Sequence, residues 1–340
     1  MSPSDKVDIT VVGGGSFGTA LAVILGDLGR NVRLWVRREQ QAEEINRDHT
    51  NGRYLPDRKL PECVHATCDM GEAIEGAPVV LLVVPSKSFR LVARDVGEHL
   101  QGDQYLVHAT KGIEVETFMR MSQILREETC ALKVGVLSGP NLAGELMVGH
   151  PAGAVVASRY DEVVRSVQRL FAGGHLRVYG GRDVVGVEIG GAFKNIIAIA
   201  AGVSDGLGFG DNARSLLITR GLSEMAELGV SLGGDVFTFG GLAGIGDLMA
   251  TCASTLSRNH QVGEQLAKGK TIDEVIAALT FVAEGIPTAK AVSNRAKKKG
   301  LDLPITTAVH AMLYENMTAG EALTSLMSLP VGDELSALRY

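Results

Sequence analysis

Between residues 192 and 201 the chain is apolar on every helical face, broken only by Lys194 and Asn195, and such a pattern predicts a buried helix. Two readings of Lys194 stand side by side. Its ammonium can snorkel to a nearby surface, as long basic side chains do. Alternatively it points into a cleft, partly desolvated, where it polarises a carbonyl and exchanges a proton. Gly190, Gly191 and Ala192 leave room there for another backbone or a ligand. Further along, a glycine-dense stretch over 240–246 runs into Asp247, which in isolation is a helix N-cap. Ser257, Arg258 and Asn259 open the next predicted helix, with Ser257 as its cap. A guanidinium beside free backbone N–H groups makes a ready phosphate site. Glu284, a lone acid beside a glycine, taken alone is an exposed turn.

Near the other end, an apolar run over 9–12 predicts a short buried strand, and Gly13, Gly15 and Gly18 follow it in a G-x-G-x-x-G pattern. A helix is predicted over 19–29. Strand, glycine turn and helix come in the order a dinucleotide site needs. The first glycine makes the turn, the second admits the pyrophosphate, and the third packs helix on strand. The helix start offers its N–H groups to the phosphates. A second strand over 32–36 leads into Arg37 and Arg38, where an NAD-type site carries an acid on the ribose 2′-hydroxyl. Arginine there pairs with a 2′-phosphate and leans towards NADPH. A solvated basic turn is the plainer reading of the same pair.

Other elements must hold these groups. Strands are predicted over 79–84, 106–110, 134–137, 154–157 and 176–179, with helices over 87–100 and 161–171. Lys111 and Asn141 fall just past strand C-termini, where ligands of open α/β sheets gather. From about residue 183 onward only helices and glycine-rich loops are expected. The fold class is therefore α/β, an N-terminal Rossmann-type doubly wound sheet over 1–184 and an all-helical domain over 185–340. Two domains also suit 340 residues. A net charge of −6 argues against nucleic acid as a partner, so an anionic ligand must be met by local basic residues. Cys63, Cys68, Cys130 and Cys252 show neither metal-type nor redox-type spacing, which suggests free thiols in a reducing cytoplasm and no metal. The apolar run over 7–12 is too short for a signal peptide, and nothing is expected to approach the length of a membrane span.

Taken together, these segments resemble bacterial NAD(P)-dependent glycerol-3-phosphate dehydrogenases over nearly the whole chain. The matching stretches are 13–20, 51–56, 109–112, 138–141, 190–195, 240–247, 257–259 and 282–285. The resemblance implies reversible reduction of dihydroxyacetone phosphate to sn-glycerol 3-phosphate with NADPH or NADH, a small phosphorylated substrate, a role in glycerophospholipid synthesis, and a homodimer. It implies that Lys194 is the catalytic acid/base. Lys111, Gly139, Asn141, Lys194, Asp247, Ser257, Arg258 and Asn259 match substrate contacts. Gly13, Gly15, Ser16, Phe17, Gly18, Arg37, Arg38, Tyr54, Lys111, Ala143, Arg258, Val282 and Glu284 match cofactor contacts. Phe17 stands where the family often has tryptophan, Asn141 where serine or threonine is usual, and Leu142 where phenylalanine is.

The implied chemistry agrees with the residues. A ketone accepting hydride develops alkoxide charge, which Lys194 can stabilise and then protonate. Burial and Lys111 would lower the Lys194 pKa, and Asp247 would oppose that shift and orient the side chain. The helical domain is expected to close over the cofactor domain with Lys194 at the seam. A related 3-hydroxy-acid dehydrogenase is the alternative within the same build, and a non-catalytic dinucleotide sensor the alternative outside it. The phosphate site at 257–259 disfavours the first and the lysine in an apolar helix the second.

Overall fold

Strands covered on both faces should be apolar at every position, and Ile9–Val12 (β1) is buried throughout its length. The structure, a computed structural model, describes residues 6–279 and 283–332. With β1, the strands Val32–Trp35 (β2), Val64–Thr67 (β3), Val79–Leu82 (β4), Tyr105–His108 (β5), Val134–Ser138 (β6), Ala152–Ser158 (β7) and Leu176–Gly181 (β8) form one sheet. Their order is β3-β2-β1-β4-β5-β6-β7-β8. Neighbours are parallel except β6 and β7, which pair antiparallel. The order reverses between β1 and β4, and the crevice beyond their C-terminal ends is where such sheets bind ligands. β3 escapes the sequence pattern for a physical reason. It is a four-residue edge strand with His65 exposed, and only its pairing with β2 identifies it.

Helices on the sheet are Ser16–Asp27 (α1), Glu39–Asp48 (α2), Met70–Ile74 (α3), Ser86–His99 (α4), Met121–Glu128 (α5), Ala143–Met147 (α6) and Asp161–Leu170 (α7). The first ends two residues before Gly29, whose φ of 72° takes the chain out of the helix.

The second half is helical: Val184–Gly206 (α8), Asp211–Ser231 (α9), Val236–Phe239 (α10), a π-helical turn at Leu242–Gly246, then Asp247–Ala253 (α11). Arg258–Ala267 (α12), Ile272–Ala278 (α13), Gly285–Lys299 (α14), Pro304–Tyr314 (α15) and Ala319–Met327 (α16) complete it. Ile189, Phe193, Ile196, Ile197 and Ile199 of α8 form the centre of this core. α8 starts eight residues earlier than its apolar run predicts, because Gly186, Gly190 and Gly191 lie within the helix. Space explains Gly190: a Cβ there would stand 2.3 Å from the Ala243 carbonyl oxygen. α12 crosses α8 closer still. Cβ atoms at Gly202 and Gly263 would stand 1.9 Å and 2.0 Å from the carbonyl oxygens of His260 and Ile199. The buried His260 ring meets Asp205 at 2.8 Å at this crossing.

The expectation that nothing approaches the length of a membrane span is corrected by α8. At 23 residues it is long and apolar enough to span a bilayer, as is the segment Val236–Ala253. Of the most apolar window of α8, 89% is buried, so its apolarity is that of a core helix.

The chain divides into two compact units, one comprising residues 1–110 and 121–184, the other residues 111–120 and 185–340. Residues 111–120 begin three positions past the end of β5, yet they belong with the helices and not with the sheet.

Candidate active site

In the sheet unit the three glycines take separable roles. Gly13 has a φ of 124°, and a Cβ on it would stand 2.4 Å from the Val83 carbonyl oxygen. Gly18 packs so tightly on the turn that its Cβ would stand 1.9 Å from the Gly13 carbonyl oxygen. Over Gly15 a Cβ would meet nothing within 4 Å, which leaves backbone N–H groups at the start of α1 open to a pyrophosphate. The residues present fit a dinucleotide.

Two side chains hold this loop: Gln41, absent from the sequence reading, and Asn51, which opens the matching stretch 51–56 but has no role assigned there. Gln41 Nε2 and Asn51 Nδ2 donate to the Gly14 carbonyl at 2.7 and 3.1 Å, and Asn51 also donates to Thr19 Oγ1 at 2.8 Å. Ser16 Oγ donates to the Tyr54 carbonyl at 3.3 Å, so the turn at 51–55 is tied to the glycine loop. Arg37 is exposed beyond β2, and Arg38 is half-buried with a 3.3 Å contact to Gln41. Phe17 lies against the sheet core. Gly139 has a φ of 140° just past β6, Asn141 beyond it is buried, and Ala143 opens α6.

The helical unit gathers the charged groups. Asp247 is buried and takes one lysine on each carboxylate oxygen: Lys194 Nζ at 2.5 Å from Oδ1, Lys111 Nζ at 2.8 Å from Oδ2. The N-cap reading of Asp247 is thereby overturned, since Gly246 holds the cap position of α11 and no side chain caps it. Lys194 does not snorkel; it is 5% exposed and its ammonium ends on two buried partners. The second of these is Thr251 Oγ1 at 2.7 Å, a residue the sequence reading missed. Thr251 donates its own proton to the Asp247 carbonyl at 2.6 Å, which turns its lone pairs towards Lys194. Burial lowers the Lys111 pKa to about 8; Asp247 acts to raise it and Lys194 to lower it. Cys252 stands nearby, but burial pushes its thiol up to about 12, so it stays protonated and is no nucleophile.

A directional chain of amides runs beside the lysines. The Gly285 N–H donates to Asn259 Oδ1 at 2.9 Å, Asn259 Nδ2 to Asn195 Oδ1 at 2.8 Å, and Asn195 Nδ2 to the Lys111 carbonyl at 3.2 Å. No Cβ fits on Gly285, where it would stand 2.6 Å from the Asn195 carbonyl oxygen. Ser257 caps α12 by accepting from the His260 N–H, as expected, which leaves Arg258 exposed on the first turn. Glu284, next to Gly285, adds a negative charge near Arg258. Val282 lies outside the described residues.

Lys111, Lys194, Asp247, Ser257, Arg258, Asn259 and Glu284 thus share the helical unit. Gly13, Gly15, Ser16, Phe17, Gly18, Arg37, Arg38, Tyr54, Gly139, Asn141 and Ala143 share the sheet unit.

Comparison with known proteins divides the chain near the same boundary, except that residues 111–120 fall within the N-terminal match. Residues 8–164 match the family described as NAD-dependent glycerol-3-phosphate dehydrogenase N-terminus, and residues 183–324 its C-terminus. The chain is 46% identical over 328 residues to a glycerol-3-phosphate dehydrogenase (NAD(P)+) of Nitratidesulfovibrio vulgaris, covering 96% of this chain and 99% of that one. It is 45% identical over 322 residues to a protein of the same description from Listeria innocua, covering 94% and 95%. The crystal structure of a glycerol-3-phosphate dehydrogenase from Coxiella burnetii superposes with a TM-score of 0.91 at 36% identity, over 95% of this chain and 99% of that one. A lysine pair on a buried carboxylate, a dinucleotide loop and these matches in both halves place the chain in the NAD-dependent glycerol-3-phosphate dehydrogenase family.

Proposed function

We propose that this protein catalyses the reversible NAD(P)H-dependent reduction of dihydroxyacetone phosphate to sn-glycerol 3-phosphate. The observation that carries the reading is one buried carboxylate shared by two ammonium groups, with the capped start of α12 hydrogen-bonded to the residue beside Lys194. A bound reduced nicotinamide supplies the hydride. As the carbonyl carbon accepts it, negative charge grows on the oxygen, and Lys194 stabilises that charge and transfers a proton to it. Among the described residues, Asp247 and Thr251 occupy two of the three Lys194 N–H bonds and orient the third. Lys111 adds a second positive charge to the same pocket. Arg258 and the N–H groups at the start of α12 bind the phosphate, and this remote contact holds the carbonyl in place. Gly139, Asn141, Ser257 and Asn259 complete the substrate contacts. Ser16, Phe17, Arg37, Arg38, Tyr54, Ala143, Val282 and Glu284 join the glycines on the cofactor.

The protein works in the cytoplasm as a homodimer and supplies glycerophospholipid synthesis in this reading. Steady-state kinetics with dihydroxyacetone phosphate and each nicotinamide cofactor tests the activity; turnover of 3-hydroxy acids in its place would overturn it. Arg258→Ala raises KM for dihydroxyacetone phosphate far more than for unphosphorylated analogues. A charge-assisted phosphate contact is worth about 1.5–3 kcal/mol, or roughly one to two decades. Equal losses on both substrate types would place the phosphate elsewhere.

Cofactor choice follows from the pair beyond β2. Arg37→Ser with Arg38→Ser weakens NADPH much more than NADH, and salt narrows the gap in the wild type. An unchanged ratio of kcat/KM values would make both arginines solvated surface.

A further inference from the structure

The segment 111–120 is attached to α8 at two points. At its start, Asn195 Nδ2 donates to the Lys111 carbonyl at 3.2 Å. At its end, Arg120 pairs with Glu188, whose side chain is 3% exposed. Glu188 and Asn195 stand seven residues apart on α8, close to two full turns, so they share one face about 10 Å apart along the axis. Within the segment, Ile113 and Arg120 pair as an antiparallel bridge, and Phe118 turns the chain with a φ of 60°. Ile113 is buried in the helical core, and Phe118 packs against it.

Apolar contacts at Ile113 and Phe118 would hold such a hairpin on the helices without fixing its register. A buried, charge-assisted hydrogen bond is stricter in distance and angle. Lys111 is the first residue of this hairpin and meets Asp247 of α11 at 2.8 Å, with Lys194 of α8 on the other carboxylate oxygen. Neither Arg120 nor Glu188 has a role in the reaction proposed above.

We infer that Arg120 and Glu188 are positioning residues: their ion pair locks the hairpin onto α8 so that the Lys111 ammonium stands on Asp247. The inference rests on the proposed reading only in its kinetic consequence, because the position of Lys111 can be followed without substrate.

The first test titrates the Lys111 side chain by NMR with labelled lysine, from neutral to strongly alkaline pH, its signal assigned by loss in Lys111→Ala. The groups facing it are Asp247 and Lys194, and burial is the largest cause of its lowered pKa. If the pair positions the hairpin, Glu188→Gln and Arg120→Met both admit water to the ammonium and move its titration upward. Through-space charge alone gives opposite signs, since losing Glu188 lowers the Lys111 pKa and losing Arg120 raises it. Upward shifts in both variants support the inference; opposite shifts, or none, overturn it.

The second test is a double-mutant cycle on kcat/KM for dihydroxyacetone phosphate. Each variant loses about 10- to 100-fold in the wild-type background and nothing further in Lys111→Ala, while Arg120→Lys recovers most of the loss. Equal losses in both backgrounds would make the pair merely structural. Unfolding midpoints identify variants that have not folded. Should Glu188→Gln be one, the cycle with Arg120→Met, at the more exposed end of the pair (15% against 3%), decides alone.

Discussion

Lys194→Ala folds and binds cofactor normally but loses about four orders of magnitude in kcat, the combined scale of proton transfer and alkoxide stabilisation. Cofactor affinity is spared because the open glycine loop and its Gln41 and Asn51 supports all lie in the sheet unit. Stability falls less than for an ordinary broken buried pair, because Asp247 still has Lys111 on its second oxygen. Rapid-mixing measurement of the hydride-transfer step on the folded variant checks the assignment. A step that remains within tenfold of wild type would remove Lys194 from the acid/base role.

Asp247→Asn is expected to harm both activity and stability, because it leaves the buried Lys194 and the half-buried Lys111 ammonium groups without their shared anion. Removing one partner of a buried pair costs about 3–5 kcal/mol, and the turnover loss should reach about 100- to 1,000-fold as Lys194 loses its orientation. The pH dependence has a definite sign. Asp247 raises the Lys111 pKa against burial, so without it that pKa falls below about 8. A lysine whose folded pKa lies under its ordinary 10.5 penalises the folded state fully while both states are protonated. Above the folded pKa the native ammonium gives up its proton while the unfolded chain keeps it, and stability climbs with pH. The variant therefore recovers part of its deficit relative to wild type between neutral and mildly alkaline pH. Denaturant unfolding at both pH values reads this directly, and a deficit that stays constant would show that Asp247 does not hold up the Lys111 pKa. Activity responds in the opposite direction, with its alkaline limb beginning at lower pH than in wild type.

Much of this site is legible in the sequence because polar residues in apolar surroundings need partners. Lys194 announces itself that way, and so does the serine before Arg258, which caps α12 as its type predicts. Asp247 is more ambiguous. An aspartate at the start of a helix pattern is most often a cap; the resemblance sets it beside Lys194, and the folded backbone shows it taking Lys111 as well. Thr251 sits one turn further along α11 and carries no signal of its own, since hydroxyls recur on helices everywhere. The roles of Gln41 and Asn51 are invisible for another reason: they serve the Gly14 carbonyl, and a backbone acceptor leaves no mark on the residue that needs it. The strand pattern follows apolar runs, whereas the sheet order, edge strand β3 and the early start of α8 depend on pairing and close approach that no local window contains. Residues 111–120 fail for the same reason, since nothing local distinguishes a loop that stays from one that leaves.

That excursion bears on how the protein can be cut. The chain passes from one unit to the other at 110/111, returns at 120/121 and leaves again at 184/185. A gene split at 184/185 yields no self-sufficient halves. The upstream fragment would carry the hairpin with Ile113, Phe118 and a cation cut off from Glu188. The downstream fragment would hold Asp247 and Lys194 yet lack the second ammonium and the carbonyl that Asn195 binds. Modular exchange with a relative must therefore transplant a discontinuous piece, the hairpin together with everything after 184, or graft the hairpin separately onto the helical fragment through a new linker.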